Sequence, residues 1–350
     1  MSLPDLKQPF VSGSLQTPVG LVPQVSSALT WKDFWGSFKA RWGIGRMHYL
    51  VEPGLYALGH PDHRSPVLVT ANYKMSFDQL RGALSGRDAW ILVLDTKGIN
   101  VWCAAGKGTF GAKELVSRIE SSGLTQIVSH RELILPQLAG PGVAAHEVKK
   151  LSGFKVIYGP VRAGDLPAFL DQGMKATPGM RIKTFTIWER IVLIPMELVA
   201  ALKAGFILTL LLLLISFLVR RGEGWSHQGF FSALAIFIAI LSGAVLTPTF
   251  LPWLPGRAFS IKGMSVGMFV AFLFVVFRWN SGIPLAGPFE ILAWLLLIPA
   301  LSSFLAMNFT GASTFTSLSG VKKEMRWALP FQIGGGMIGF ILWIGSQWVS

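Results

Sequence analysis

The chain has 350 residues, of which 51% are hydrophobic, and its net charge at pH 7 is +13. Its one cysteine, Cys103, excludes an internal disulfide and any iron–sulfur or all-cysteine metal site built by this chain alone. The basic residues are scattered and partly flank apolar segments, which argues against a nucleic-acid-binding protein. Charge is concentrated in residues 1–190 and apolar residues dominate 193–350, so the composition predicts two environments.

The first 45 residues give the weakest pattern. We expect no secretory signal there, because proline and polar residues stand in "MSLPDLKQPFVSGSLQTPVGLVPQ" where an apolar region is needed. The stretch "WKDFWGSFKARWGIGRMHYLVEPGLYALG" has a helix-like aromatic pattern followed by a turn-rich passage. We therefore expect residues 1–45 to form an amino-terminal extension that packs on a soluble domain.

From residue 66 onward, short apolar runs alternate with amphipathic segments, a pattern typical of a parallel sheet covered by helices. The predicted strands lie in "SPVLVTANY", ending near Thr70, and in "AWILVLDTKG", "TQIVSH" and "GFKVIYG". The predicted helices are "SFDQLRGALSG", capped by Ser76 and ending near Gly86, "GAKELVSRIESSG", and "AGDLPAFLDQG", beginning at Asp165. Residues 46–180 are thus predicted to form a doubly wound, Rossmann-like α/β domain.

Ligands of such sheets bind beyond the carboxyl ends of the strands. The predicted strand ends carry residues 70–73, 95–106, 129–131 and 158–160. A loop predicted over residues 132–146, "ELILPQLAGPGVAAH", is rich in glycine, alanine and proline and can bring its backbone close to a flat ligand. The segment around Cys103 lies at one of these ends.

The second half of the chain contains five apolar stretches close to the length of about 20 residues that crosses a bilayer. They cover residues 198–219, 229–246, 263–277, 284–307 and 331–349. A linker over 181–197 and an all-α transmembrane domain of five helices over 198–350 are therefore expected.

Basic residues predict the orientation of these spans, because lysine and arginine are retained on the cytoplasmic side. One side carries Arg181, Lys183, Arg190, Arg257, Lys262, Lys322, Lys323 and Arg326, and the other carries Arg220, Arg221 and Arg278. We expect a multi-pass protein of the inner membrane with its soluble domain in the cytoplasm and its carboxyl terminus outside.

Several common sites fail on spacing. The segment "AAGKGT" resembles the end of a phosphate-binding loop, but that motif needs glycine at the position of Val101 and a hydroxyl residue at that of Gly108. No Gly-x-Gly-x-x-Gly joins a strand to a helix. The six histidines lack the spacing of a metal site, and Asp62 is adjacent to His63, which excludes the corrinoid signature Asp-x-His-x-x-Gly.

Cys103 itself leaves two interpretations open. A lone cysteine is often a small buried apolar residue with no chemical role. However, the chain spends fifteen residues between the strand end at Asp95 and the helix predicted to start near Gly111. Connections of this type usually take two to six residues, so the length favours a functional loop.

The nine residues "NVWCAAGKG", 100–108, resemble the signature of the HgcA family, the membrane-anchored corrinoid proteins of microbial mercury methylation. The soluble domain of that family is similar to the corrinoid domain of the corrinoid iron–sulfur protein of acetyl-CoA synthesis. The resemblance implies that Cys103, on a short helix, is the lower axial ligand of a cobalt corrinoid, cobalamin or a related cobamide. It also implies transfer of the methyl group from methyl-Co(III) corrinoid to Hg(II), forming methylmercury, with Cys103 as the catalytic residue and cobalt ligand.

The same resemblance, with the strand-end positions, gives a set of candidate cofactor-binding residues. They are Thr70, Asn72, Asn100, Val101, Trp102, Cys103, Ala104, Ala105, Gly106, Lys107, Leu135, Gln137, Gly142 and Tyr158. Asn100 is expected to cap the helix that aims the sulfur, and Lys107 or the helix dipole to favour thiolate. Ala104, Ala105 and Gly106 are expected to be small because larger side chains would collide with the corrin.

Partners follow from the single cysteine and from the resemblance. The chain has no ligands for an electron-transfer cluster, so a separate reductant is expected, which the family provides as HgcB, a ferredoxin-like protein with two 4Fe–4S clusters. That partner is also a candidate donor of Hg(II), and a methyltetrahydrofolate-linked protein is the expected methyl donor. Membrane lipid is expected as a partner and nucleic acid is not.

A membrane transporter or sensor, with a cobamide- or nucleotide-binding soluble domain and no methyl transfer, is the alternative. It would depend on Lys203, Glu290 and the polar run over 308–320.

Overall fold

The computed structural model describes residues 3–219, 228–281, 287–313 and 316–349. The chain divides into two compact units, one of residues 1–40 and 44–183 and the other of residues 41–43 and 184–350. The first unit is an α/β domain. The second is helical in the part that is described.

A sheet of seven strands forms the centre of the first unit. The strands are β1 (Val11–Thr17), β2 (Gly20–Val25), β3 (Gly54–Leu58), β4 (Val67–Ala71), β5 (Ala89–Leu94), β6 (Glu132–Leu135) and β7 (Lys155–Tyr158). Their order in space is β1-β2-β3-β5-β4-β6-β7. Strands β4 to β7 are parallel, as predicted, whereas β3 is antiparallel to β5 and β1 with β2 forms an antiparallel hairpin.

Helices cover both faces of this sheet. They are α1 (Trp31–Arg41), α2 (Lys74–Ala83), α3 (Val101–Lys107), α4 (Ala112–Ser121), α5 (Ala145–Ser152) and α6 (Leu166–Asp171). Successive strand residues point to opposite faces, so Val69 joins the core cluster that contains Leu115 of α4, and Leu68 joins the one that contains Phe77 of α2. Helices α3, α4 and α5 therefore lie on one face and α2 and α6 on the other, which confirms the predicted Rossmann-like, doubly wound domain.

The prediction of a strand in "TQIVSH" is wrong, and the strand lies a few residues later. Gly123 adopts a φ of 63° after α4, and the chain then tightens into a 3-10 turn. The backbone N–H groups of Gln126 and Ile127 donate to the carbonyls of Gly123 and Leu124 at 2.9 and 3.1 Å, so they cannot join a ladder. The strand is β6, in the stretch predicted as the start of a loop.

This displacement changes which residues lie at the ligand-binding edge. Residues 129–131 come before β6 and not after it, so they lie at its amino end. The carboxyl end is at Leu135, and the glycine-rich loop therefore begins after that residue. The long loop is accordingly shorter than its predicted span of 132–146, and α5 begins at Ala145.

The amino-terminal region contributes strands that the sequence pattern did not indicate. Strands β1 and β2 add a hairpin to the sheet, and β3 is buried along its whole length within the passage that we interpreted as turn-rich. The prediction that Ser76 caps α2 is also wrong. The helix begins at Lys74, and the Ser76 N–H already donates to the Tyr73 carbonyl at 2.9 Å within the first turn.

A buried ion cluster fastens α1 to α2. Asp33 lies 2.6 Å from Lys74 Nζ and 3.0 Å from Arg81 Nη2, and Asp78 lies 2.8 Å from the same Arg81 nitrogen. Burial opposes ionisation of Asp33, but hydrogen bonds from Lys74 and Thr30 outweigh it and hold the pKa of this carboxyl well below its usual range. The folded domain thus contains an ionised aspartate that depends on its partners.

The second unit consists of long apolar helices. They are α7 (Ile187–Ile191), α8 (Ile194–Val219), α9 (Gln228–Leu241), α10 (Thr247–Phe250), α11 (Phe259–Asn280), α12 (Pro288–Asn308) and α13 (Leu318–Val349), with a π-helical turn at Ser242–Leu246. The described residues contain five segments long and apolar enough to cross a membrane, which fits the prediction of a multi-pass membrane domain. They are Ile187–Val219, Gly229–Phe250, Phe259–Asn280, Pro288–Gly311 and Ser319–Trp348.

Small residues allow α11 and α12 to approach closely. A Cβ added to Gly263 would lie 2.6 Å from the Ser302 carbonyl oxygen, and one added to Gly267 would lie 2.7 Å from the Pro299 Cα. These two glycines are four residues apart and form the Gly-x-x-x-Gly pattern that packs membrane helices by van der Waals contact.

The residues on which a transport function would depend have different surroundings. Arg278 Nε donates to Glu290 Oε1 at 3.2 Å, and both side chains are buried. Lys203 is exposed on α8. Part of the polar run over 308–320, residues 314–315, lies outside the described residues, as do Arg220, Arg221, His227 and residues 284–286 of the predicted fourth span.

The Asp33 cluster makes the stability of the α/β domain dependent on pH. Because the pKa of Asp33 is lowered on folding, its contribution is complete above the unfolded value near 4 and is lost as the pH falls towards the folded value. We expect Asp33→Asn to lower the free energy of unfolding at pH 7 by about 3 kcal/mol. As the pH falls below 4, the variant should lose less stability than the wild-type chain. The measurement is thermal unfolding of the full chain in detergent between pH 2 and pH 7.

Asp171→Asn is the matched control, because the ion pair of Asp171 with Arg87 lies at the surface. We expect the control to leave the thermal midpoint nearly unchanged. Equal midpoints for both variants at pH 7 would show that the buried cluster does not stabilise the domain.

Candidate functional site

A cleft opens at the carboxyl ends of β4 and β6, where the strand order reverses. The chain passes from β4 to β5 on one side, and then from β5 to β6 on the other side of β4. Open α/β sheets bind their ligands at such a switch point. The cavity has a volume of about 280 Å³, and its walls come from β4, α2, α3, β6 and the segments after β6 and β7.

The cleft brings together five of the sequence-predicted site residues. They are Thr70, Asn100, Val101, Trp102 and Leu135. Two polar side chains of α2, Ser76 and Gln79, also line it and were missed. Their spacing of three residues places them on one helix face, a signal that becomes useful only once the cleft's position is known.

Helix α3, which carries the cysteine, is short and is fixed at both ends. Asn100 has extended backbone angles, and its Oδ1 accepts a hydrogen bond from the Cys103 N–H at 2.9 Å, so the predicted cap is present. Gly108 ends the helix with a φ of 81°, a conformation that glycine adopts without steric cost. The backbone of Cys103 is thus held directly by the cap.

The two faces of α3 have different environments. On its inner side, Val101, Ala104 and Ala105 are buried in the core cluster that also contains Val69 of β4 and Leu115 of α4. The opposite side presents Trp102, Gly106 and Lys107 to the exterior, and Cys103 between them is half-buried. The thiol is therefore accessible from outside the domain, whereas a packing cysteine would be expected on the inner face.

The structure gives a packing reason for the small residues of the motif. Ala104 and Ala105 lie on the inner face, where α3 meets the domain core, so their size allows this close approach. A Cβ added to Gly142 would clash with the Phe110 carbonyl and lie 2.8 Å from the Ala105 Cα, so Gly142 lets the loop after β6 reach α3. Gly106 differs, because a Cβ added there meets open space.

Asn72 organises the turn that leads into α3. Its Oδ1 accepts hydrogen bonds from the backbone N–H groups of Thr96 and Gly98 at 3.1 and 3.0 Å, and its side chain is buried. In the same turn, burial opposes ionisation of Asp95, but hydrogen bonds from Lys97 hold the pKa of that carboxyl below its usual range. Asn72 thus contacts the turn before the cap, away from the cleft wall.

Two other predicted residues hold the loop after β6 in place, Tyr158 from outside the loop and Gln137 from within it. The Tyr158 hydroxyl donates to the Val143 carbonyl at 2.5 Å, and burial raises the pKa of this phenol. Gln137 Oε1 accepts a hydrogen bond from Arg181 Nη1, also at 2.5 Å. Both interactions tie down the loop that packs on α3.

The described residues contain no cluster of the side chains that usually bind metal ions. No group of three or more His, Cys, Asp or Glu side chains that could hold a metal ion occurs in those ranges. The segment resembling a phosphate-binding loop forms the last turn of α3 and not a strand-to-helix loop. Cys103 is not among the residues that line the cleft, but it is partly exposed on the same helix as the lining residues Val101 and Trp102. Its thiol is the distinctive chemical feature of this helix.

Comparison with known proteins identifies relatives of the α/β domain. Residues 45–170 match the family model described as CO dehydrogenase/acetyl-CoA synthase delta subunit. The acetyl-CoA decarbonylase/synthase complex subunit gamma of Methanopyrus kandleri is 36% identical over 124 residues, which are 35% of this chain and 26% of the relative. The gamma subunit of Methanothermobacter thermautotrophicus is 32% identical over 124 residues, 35% of this chain and 27% of the relative.

A third relative gives the same picture. The complex subunit gamma 2 of Methanosarcina thermophila is 33% identical over 126 residues, 35% of this chain and 26% of the relative. The chain thus spans about a quarter of the length of these relatives. The matches confirm the resemblance to the corrinoid protein of acetyl-CoA synthesis that the motif indicated, and they place it in the α/β domain that carries Cys103.

Proposed function

We propose that this chain is a membrane-anchored, corrinoid-dependent methyltransferase that methylates Hg(II) to form methylmercury. Residues 46–180 would hold the corrinoid in this proposal, and the Cys103 sulfur would bind its cobalt. The observation that supports it most is the position of Cys103, half-buried on the outer face of the capped helix α3, whose first residues Val101 and Trp102 line the switch-point cleft. The similarity of this domain to subunits of a complex that handles acetyl-CoA adds support.

The residues present fit a flat cobalt macrocycle. A thiolate is a soft and strongly donating ligand, which suits cobalt. Gly106 is exposed on the same outward side of α3, and a Cβ added there meets no other atom within 4 Å. This part of the helix surface therefore leaves room for a flat ligand. Asn100, Val101 and Trp102, which precede Cys103 in the chain, line the cleft. A bound cobalt corrinoid would supply the methyl-transfer chemistry at this site.

The chain's own residues position the sulfur. The Asn100 side chain fixes the backbone of Cys103, and Asn72 fixes the turn before it. Gly142 and Tyr158 hold the loop after β6 against α3. These contacts limit the movement of α3, so the backbone that carries the Cys103 side chain is held in place.

The proposal requires partners. The one cysteine of the chain is committed to cobalt, so electrons and mercury-binding thiols come from another protein. A ferredoxin-like protein with two 4Fe–4S clusters, HgcB in the family that the motif resembles, fits both needs. A methyltetrahydrofolate-linked protein is the proposed methyl donor. The membrane unit anchors the chain in the inner membrane, with the α/β domain in the cytoplasm and the carboxyl terminus outside.

A transporter or sensor is the second candidate, because the membrane unit contains a buried ion pair. Arg278 and Glu290 are both buried, in the segments Phe259–Asn280 and Pro288–Gly311 of the structure. Ionisable residues inside a membrane commonly serve ion or substrate pathways. Replacement of Arg278 and Glu290 together by Met and Gln separates the candidates. Methylation by the purified chain with its partners survives under our proposal, whereas a transport-dependent function would be lost.

The role of Cys103 is tested by the visible spectrum of the full chain reconstituted with cobalamin. We expect a coloured complex whose spectrum changes in Cys103→Ala, because sulfur is lost from the axial position, and we expect methylation of Hg(II) to be abolished. Cys103→Thr should also be inactive, because a hydroxyl is a hard and weak donor to cobalt. A chain that stays colourless after reconstitution, or near-full activity in Cys103→Ala, would contradict the proposal.

The open surface at Gly106 gives a second prediction. A Cβ added at Gly106 meets no other atom within 4 Å, so the side chain of Gly106→Leu starts into open space and the thermal midpoint should not fall, but corrinoid binding should weaken many-fold. Glu120→Leu is the control, since it adds the same side chain at an exposed position of α4. Equal cobalamin affinity of both variants in a spectral titration would mean that the ligand does not cover Gly106.

A further inference from the structure

One side of α1 exposes a row of aromatic side chains. Trp31, Phe34, Trp35 and Phe38 follow the spacing i, i+3, i+4, i+7, which places them on one helix face, called here the aromatic stripe. Their exposed fractions are 78, 57, 48 and 46%, and the rings of Trp35 and Phe38 stack with centroids 5.1 Å apart. Soluble proteins rarely leave an aromatic surface of this kind in water, so the stripe indicates an interaction surface.

The opposite side of α1 is fastened to the domain. Asp33 forms the buried ion pairs with Lys74 and Arg81. Gly36 faces Tyr49 so closely that an added Cβ would lie 2.6 Å from the ring. Rolling the helix to bury its aromatic rings would break these contacts. The fold therefore holds the stripe outward.

Charge at the edge of the stripe suggests what covers it. Lys32 and Lys39 are both exposed. They are seven residues apart, so they lie on the same side of the helix, two turns from each other, and flank Trp35. Tryptophan with flanking lysine is the composition of helices that lie in the headgroup region of a bilayer. There the rings enter the acyl boundary and the ammonium groups meet lipid phosphates.

We propose that the aromatic stripe of α1 lies in the headgroup layer of a phospholipid bilayer. The same chain carries five segments long and apolar enough to cross a membrane, so the domain is covalently linked to helices suited to a bilayer. Helix α1 precedes residues 45–170, the part that matches the family model, so it lies outside the matched region, as do the spans. This contact gives the α/β domain a second attachment to the bilayer, independent of any ligand in the cleft.

Photo-crosslinking of the full chain tests the proposal. The photoreactive residue p-benzoyl-phenylalanine replaces Phe34, and the chain is irradiated in vesicles of phosphatidylethanolamine and phosphatidylglycerol. Leu151 on α5, which is 56% exposed in the same domain, is the matched control position. We expect many-fold more phospholipid adducts, measured by mass spectrometry, at position 34 than at position 151.

The same replacement at Trp31 gives an independent measurement, and we expect it to yield phospholipid adducts as well. Adducts to another part of this chain, to a second copy or to a different protein at both stripe positions would overturn the proposal. So would equal lipid adduct yields at positions 34 and 151.

Discussion

The hydrogen bond from the Cys103 N–H to the Asn100 side chain, together with the buried inner face of α3, determines how this domain presents its thiol. A helix of two turns has little stability of its own and depends on its cap and on tertiary packing. Here the cap, the C-terminal Gly108 and the loop carrying Gly142 all restrain the same two turns. The arrangement holds the backbone of Cys103 in place on the partly exposed side of α3.

The sequence predicted the parts of the fold that depend on strong local signals. Strands β4 and β5 are buried along their whole length, and β7 contains the short apolar run of Val156 and Ile157. The cap at Asn100 is a one-residue signal with a specific partner. Strand β6 was misplaced because "TQIVSH" and "ELIL" are both short apolar runs, and only the 3-10 turn after Gly123 decides between them. The β1–β2 hairpin was missed because its alternating exposure is that of an edge strand with glycine and serine in it.

The candidate site was predicted in part for a similar reason. Residues adjacent to Cys103 in the chain could be found from the motif, whereas Ser76 and Gln79 reach the cleft only through the packing of α2. The buried alanines of α3 show a second limit of prediction from sequence. A small residue beside a ligand motif looks like clearance for the ligand, yet Ala104 and Ala105 are small because α3 packs on the core. Sequence position alone does not separate these two causes.

The central claim is that the Cys103 sulfur binds cobalt, and cobalt K-edge X-ray absorption of the full chain reconstituted with a corrinoid tests it most directly. The proposal predicts a sulfur scatterer in the cobalt coordination shell of the wild-type chain and its loss in Cys103→Ala. A shell of nitrogen and oxygen alone in the wild-type chain, unchanged by the substitution, would contradict it.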